Sequence, residues 1–126
     1  MPDVHAKLSA SGAKKWIACP GSVLLEANVQ DKPSAYAAEG TTAHALGEAK
    51  IRLATREYTK AKYHKAIKDL EIDDEMEEYT DAYRDFVIEQ LNQAKQRTAD
   101  AILLLEQRLD FSKYVPEGFG TGDCVI

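Results

Sequence analysis

The clearest pattern along the chain is a helical one in residues 75–98. Apolar side chains recur there at steps of three and four residues, and most of the charged side chains fall between them. The apolar set is Met76, Tyr79, Tyr83, Phe86, Val87, Leu91 and Ala94. We therefore predict an amphipathic helix from Glu75 to Thr98 that buries this set.

Three earlier segments also favour helix. Residues 37–58 are rich in Ala and Glu and carry apolar side chains for burial, which predicts one long helix. Residues 9–22 predict a short helix that Ser9 or Ser11 caps and Pro20 ends, and residues 21–29 allow another turn or two. The charged stretch 56–75 has little apolar periodicity, so we interpret it as a surface connection that is in part helical.

The period of the pattern changes after Thr98. Residues 101–111 form an apolar run followed by alternation, which predicts a well-buried strand. Residues 112–122 are rich in turn formers, and a second strand begins at Asp123. The predicted fold is α+β and mostly helical, with three to four helices followed by a truncated two-stranded antiparallel hairpin. We predict a single domain over residues 1–126, with a loose arm at 1–8, a helical part at 9–98 and the first two strands at 101–126.

Composition narrows the classes of function. The 126 residues carry a net charge of -5, so any contact with DNA needs a local basic patch or metal ions. No apolar run approaches the ~20 residues that span a bilayer, which argues against a membrane protein. The two cysteines, in a chain without an export signal, predict reduced thiols and a cytoplasmic location.

The segment EGTTAHALGE offers the first candidate for chemistry. Gly40, His44 and Gly47 fall on one face of the predicted helix, and Glu48 lies one turn after His44. That face is nearly bare, so another backbone can approach it closely while His44 points into the gap. A neutral imidazole is a common ligand for a divalent metal. The alternative is a histidine that caps the helix or fills a helix interface.

Two acidic residues near the end of the chain are the next candidates. Asp123 opens the second predicted strand just past a Gly-x-Gly turn, where a metal or substrate can reach it, although the same letters are also plain turn chemistry. Glu106 lies within the apolar run. On a strand buried on both faces it needs a partner or a metal, whereas on a one-sided strand it faces solvent.

The cysteines do not form a site with each other. Cys19 precedes Pro20 at a helix end, but zinc or an iron–sulfur cluster needs about four ligands. The chain offers only one other cysteine, Cys124. Cys124 follows Asp123 and should point to the opposite face of the sheet as part of the core.

These pieces together resemble a known family. The segments LSASGAKKWIACPGSVLLE, EGTTAHALGE and LLLEQRLDF…VPEGFGTGDCVI are similar to the start of phage-borne RecB-like nucleases of the PD-(D/E)XK superfamily. The resemblance covers nearly the whole chain except its charged middle. It implies a bacterial host cell and a phage-encoded DNA nuclease.

The resemblance also implies roles for individual residues. The family's helical Gly-x-x-x-His-x-x-x-Glu motif fits Gly40, His44 and Glu48, and its histidine is a metal ligand. Asp123 matches the aspartate that holds a catalytic Mg²⁺ or Mn²⁺. Beside the roles that the resemblance implies, we take Glu106 as a supporting acid in the catalytic set. In iron–sulfur members, a Cys-Pro similar to Cys19-Pro20 joins three cysteines from a C-terminal segment to hold a 4Fe–4S cluster.

The sequence departs from the family pattern after Ile126. It lacks the acid-x-Lys motif of the following strand, the later Gln/Tyr helix and the cysteine trio. We therefore expect the N-terminal part of a metal-dependent DNA nuclease that does not cleave DNA appreciably by itself. The alternative is a non-catalytic module that binds DNA or a protein. The open strand edge also predicts self-association through strand pairing.

Overall fold

The computed structural model describes residues 5–29, 32 and 34–126. In this part of the chain five helices precede a two-stranded antiparallel sheet, so the α+β class and the order of elements are confirmed. The elements are α1 (Ala13–Ala18), α2 (Gly21–Glu26), α3 (Ala35–Ala54), α4 (Lys60–Ile67), α5 (Asp74–Arg97), β1 (Leu104–Asp110) and β2 (Phe119–Val125). Half of the predicted arm at residues 1–8 lies outside the described residues, because residues 1–4 are not among them.

The chain divides into two compact units. The sheet unit contains residues 1–32 and 104–125, and the helical unit contains residues 33–103 with Ile126. Helices α1 and α2 and both strands belong to the sheet unit, whereas α3, α4 and α5 belong to the helical unit.

The core of the helical unit lies between α3 and α5. Ser34 caps α3 by accepting a hydrogen bond from the N–H of Ala37 at 3.0 Å, and Asp73 caps α5 by accepting one from the N–H of Met76 at 2.7 Å. The acidic first turn and basic last turn of α5 also suit the helix dipole. The buried apolar side chains are Leu46, Ala49, Ile51, Met76, Val87 and Leu91.

The predicted burial along α5 is only partly right. Met76, Val87 and Leu91 are buried, but Tyr79 and Phe86 are 67% and 60% exposed. The apolar stripe is wider than the strip of α5 that α3 covers, so its outer positions remain on the surface.

Helix α4 occupies part of the stretch that the sequence predicts as a surface connection. Thr59 caps it by accepting a hydrogen bond from the N–H of Lys62 at 3.2 Å. Tyr63 and Ile67 are half-buried at an i, i+4 spacing, which gives the helix one contact face. The remaining positions of α4 are exposed, so the segment has little apolar periodicity.

The strands of the sheet unit differ from their prediction in two ways. Strand β2 begins at Phe119 and not at Asp123, so the Gly-x-Gly segment lies inside the strand and not in a turn. Strand β1 has no fully buried residue, so the prediction of a well-buried strand is wrong. Its second half carries the charged side chains of Arg108 and Asp110, which keep this part of the strand accessible to water.

The described helices include none that is long and apolar enough to cross a membrane.

Candidate metal site

The register of the sheet brings two carboxylates together. Leu105 pairs with Cys124 and Gln107 pairs with Gly122, so Glu106 faces Asp123 across the two strands. A carboxylate oxygen of Glu106 and one of Asp123 lie within 4.8 Å of each other. The sequence proposed each acid separately, and the structure places them in one cluster.

The backbone at Glu106 is strained. Its φ is +49°, in the left-handed region that non-glycine residues seldom occupy, although it lies in the middle of β1. Such a conformation costs on the order of 1–3 kcal/mol and persists only where its surroundings hold it. Glu106 is half-buried and Asp123 is exposed, so the pair is open to a ligand from solution.

Gly122 keeps the strand beside Asp123 free of a side chain. A Cβ at this position would lie 3.0 Å from Cγ2 of Val125 and 3.3 Å from Cδ1 of Leu109. Both distances are shorter than ordinary contacts, so a larger residue would push these side chains apart. The close packing around position 122 therefore explains why a glycine precedes Asp123. The sequence predicted this glycine as part of a turn, which does not account for the packing.

The electrostatics of the pair favour a cation. Two carboxylates at this separation repel each other, and hard carboxylate oxygens are the ligands that Mg²⁺ and Mn²⁺ prefer. The donor set of Glu106 and Asp123 therefore fits such an ion. Partial burial, and secondarily the charge of Asp123, raise the pKa of the Cys124 thiol, so Cys124 is held as a neutral thiol at neutral pH.

His44 lies in the middle of α3, in the helical unit, and is exposed. Of the two glycines on its face, Gly40 has open space where a Cβ would be, and Gly47 lies under the ring of Tyr83. A Cβ on Gly47 would be 3.2 Å from Cδ1 of that ring. The sequence predicted that another backbone approaches this face, whereas the group that lies close to Gly47 is an aromatic side chain of α5.

Glu48 has a partner on its own helix. Its carboxylate accepts a hydrogen bond from Nε of Arg52 at 2.9 Å and forms an ion pair with Nη2 of the same residue at 2.8 Å. Arg52 also pairs with Glu57. The third position of the sequence motif therefore serves an ion-pair network at the end of α3.

Sequence reasoning missed Lys50, which is only 3% exposed. Its ammonium group donates to Oδ1 of Asp81 at 2.7 Å and to the main-chain oxygen of Glu77 at 3.0 Å, and it pairs with the Glu77 carboxylate at 3.1 Å. The signal that could have found it was a lysine within the apolar face of α3 facing two acids spaced i, i+4 on α5.

Cys19 is exposed at the C-terminal end of α1, where its N–H donates to the carbonyl oxygen of Lys15 at 2.8 Å. The structure gives it no role beyond this cap, and its place in an iron–sulfur cluster stays a prediction.

The fold and the carboxylate pair define an α+β protein with a candidate site for a divalent cation. The chain belongs to the family DUF2800, described as a protein of unknown function, whose model matches residues 5–126. No solved structure matches the chain.

Proposed function

We propose that Glu106 and Asp123 bind Mg²⁺ or Mn²⁺ and that this site serves the hydrolysis of phosphodiester bonds in DNA. The observation that carries the metal site is the pair of carboxylate oxygens within 4.8 Å across the sheet. The assignment to DNA rests on the resemblance of the sequence motifs to RecB-like nucleases. The resemblance makes Asp123 a metal ligand, and we take Glu106 as the acid that supports it.

His44 is proposed as a further ligand, on the strength of the Gly-x-x-x-His-x-x-x-Glu motif. A neutral imidazole would add a nitrogen donor to two carboxylate oxygens. A divalent ion bound there would polarise a phosphoryl oxygen and lower the pKa of a bound water. The residues of this chain would fix the position of the ion and neutralise part of its charge.

Mn²⁺ titration by calorimetry tests the metal site. We expect the 126-residue chain to bind Mn²⁺, and the substitution Asp123→Ala to weaken this binding at least about tenfold because it removes a charged ligand. His44→Ala should weaken it as well. The matched control is Glu117→Gln, which removes a carboxylate from the connection between the strands. Equal Mn²⁺ affinity of Asp123→Ala and the wild type would refute the site.

A nuclease assay with Mn²⁺ on single- and double-stranded DNA tests the reaction. Our expectation from the sequence is metal binding with no appreciable cleavage by the 126-residue chain, because it has no acid-x-Lys motif after Asp123 to orient water and stabilise charge on the phosphate. Robust cutting that disappears in Asp123→Ala would overturn that expectation while supporting the assignment as a nuclease.

A non-catalytic binding module is the second candidate function. The favouring observation lies on the short N-terminal helices, where Ile17 is 68% exposed, Leu24 81% and Leu25 79%. These side chains lie on two consecutive short helices, and exposed apolar surface is typical of interaction sites where it is contiguous. A chain that binds no Mn²⁺ but binds a partner protein, with weaker binding in Leu24→Ser, would favour this second function over the nuclease.

Self-association through the sheet edge is also proposed. In the described part of the chain the sheet has two strands, so β1 and β2 each have one edge without a neighbouring strand. An open edge is a template for pairing with another chain. We expect light scattering to show a mass that rises with protein concentration, and a constant monomer mass would contradict this.

Two expectations from the resemblance remain proposals. The first is that Cys19 is one ligand of a 4Fe–4S cluster, which iron analysis of the protein and of its Cys19→Ser variant after anaerobic reconstitution would test. The second is the cytoplasmic, phage-encoded setting, which fractionation of infected cells would test.

A further inference from the structure

The strand that carries Glu106 also carries an arginine. Arg108 lies two residues after Glu106 on β1, just past the left-handed residue that interrupts the regular alternation of the strand. The guanidinium carbon of Arg108 lies 4.2 Å from the centroid of the Phe119 ring, diagonally across the strands. This stacking fixes the plane of the guanidinium and leaves its N–H edge for a ligand.

Arg108 differs from two other arginines of the chain in its partners. Arg52 and Arg84 each bond two carboxylates, and these contacts use their donors. The side chain of Arg108 has no hydrogen bond or ion pair to any residue in the described part of the chain. Its five N–H donors are therefore available to an acceptor that comes from solution.

A surface cavity of about 460 Å³ lies beside this guanidinium. Lys7, His5 and Ser112 contribute further donors to its wall. Two acids, Asp110 and Glu117, line it as well. The carboxylate of Asp110 accepts the N–H of Ser112 at 2.9 Å, a bond that, with the charge of Arg108, holds the pKa of Asp110 below its usual value.

We propose that Arg108 binds a phosphate group of a DNA strand next to the phosphate that a metal ion bound by Glu106 and Asp123 would contact. This inference rests on the proposed function and names a contact that positions its substrate. Cα atoms two residues apart lie at most about 7 Å apart, so Arg108 and Glu106 are close enough to act on neighbouring phosphates of one strand. The planar fork of an arginine suits two oxygens of one phosphate.

The acids in the cavity wall should oppose the binding of DNA that Arg108 supports. Lys7 and Arg108 supply two positive charges, and Asp110 and Glu117 supply two negative ones. The balance keeps the affinity for DNA modest, in line with the net charge of -5. Removing the charge of Glu117 should therefore tighten DNA binding, whereas removing the charge of Arg108 should weaken it.

The experiment measures binding of a fluorescent oligothymidylate by anisotropy, with Mn²⁺ present, over a series of salt concentrations. We expect Arg108→Ala to weaken binding about five- to tenfold at low salt and to lower the salt slope by about 0.7, the value for one phosphate of a single strand. Arg108→Lys keeps the positive charge but lacks the planar fork, so its affinity for the oligonucleotide should lie between those of the wild type and Arg108→Ala. Glu117→Gln should bind more tightly than the wild type.

Lys65→Ala is the control, because it removes one positive charge from an exposed position of α4. Arg108→Ala that binds the oligonucleotide as Lys65→Ala does, or a wild type that does not bind it, would overturn the proposal. Displacement of the oligonucleotide by micromolar inorganic phosphate would also overturn it, since the ligand would then be free phosphate and not a strand. Thermal unfolding of the variants checks that they are folded.

Calorimetry separates this inference from the proposed metal site. Arg108→Ala should bind Mn²⁺ as the wild type does, because the arginine is not a metal ligand. Loss of Mn²⁺ binding in Arg108→Ala would refute a separate phosphate contact. If the wild type binds no Mn²⁺ but Arg108→Ala still lowers the salt slope, the metal site fails and the phosphate contact stands.

Discussion

Replacing Glu106 with glycine is expected to abolish detectable Mn²⁺ binding and, in the metal-free protein, to raise the free energy of unfolding by about 1 kcal/mol. The substitution removes two contributions that destabilise the folded protein, the backbone strain at residue 106 and the repulsion between two carboxylates. Glycine adopts the φ of +49° without the clash that Cβ causes, and the repulsion between two carboxylates within 4.8 Å is removed. Part of the gain is offset because glycine is more flexible in the unfolded chain.

Glu106→Gln separates these two contributions. Glutamine retains the strained backbone but removes the charge, so it should lose Mn²⁺ binding with a smaller gain in stability. Glu117→Gly is the matched control, because Glu117 also has a positive φ, of 56°, in the same hairpin. It should gain stability by relief of strain alone and should bind Mn²⁺ as the wild type does.

Urea unfolding with and without Mn²⁺ measures both effects. Mn²⁺ at about 100 times its dissociation constant should stabilise the wild type by about 2.7 kcal/mol and leave both Glu106 variants unchanged. A Glu106→Gly protein that is less stable than the wild type without metal would show that the side chain supports the hairpin. The strain would then not be attributable to a binding site.

Replacing Asp81 with asparagine is expected to lower the free energy of unfolding by about 1–2 kcal/mol at pH 7. The substitution leaves the buried ammonium group of Lys50 without its nearest charged partner. The cost falls below that of a fully buried pair because the Asp81 side chain is 44% exposed and Glu77 still contacts Lys50. Lys50→Met, which removes the buried charge itself, should cost less than about 1 kcal/mol.

The same pair predicts how stability depends on pH. The hydrogen bond from Lys50, and secondarily the charges of Lys50 and Arg84, hold the pKa of Asp81 below its ordinary value of 3.8 in the folded state. Stability from a carboxyl whose pKa is lowered by folding is complete above the unfolded pKa and is lost as the pH falls through the folded pKa. The difference between the wild type and Asp81→Asn should therefore be constant above about pH 5 and should shrink below pH 3.8.

Urea unfolding of the wild type, Asp81→Asn and Lys50→Met at pH 7 and at pH 3 checks this prediction. Asp85→Asn is the matched control, because Asp85 on the same helix pairs with Arg84 at an exposed position. A difference for Asp81→Asn that does not change with pH would mean that Asp81 does not stabilise the fold as an ionised carboxylate.

The helical part of the chain could be predicted well from local pattern. Helix α5 lies within one residue of its predicted bounds, because its periodicity spans about six turns and Asp73 offers an evident cap. The predicted α3 is right in kind, although it begins at Ala35 and ends at Ala54. Its end at Ala54, with Arg56 at a φ of 64°, could not be read from composition, because no glycine marks the turn.

The sheet depended on pairing between segments far apart in sequence. Strand β2 begins at Phe119 because Phe119 pairs with Asp110, and glycines that locally indicate a turn are extended by that pairing. Burial could not be read locally either, since Tyr79 and Phe86 share an apolar stripe with residues that α3 covers.

For the candidate site, too, local sequence pattern identified the residues and strand pairing decided which of them meet. Local pattern was enough to name Glu106, Asp123 and His44 as residues with useful chemistry. The meeting of Glu106 and Asp123 follows from the register of the strands. A shift of one residue would place Glu106 opposite Gly122 or Cys124 and turn every side chain of the shifted strand to the other face. Register is a property of two strands together, so no pattern within either strand could have established the pair.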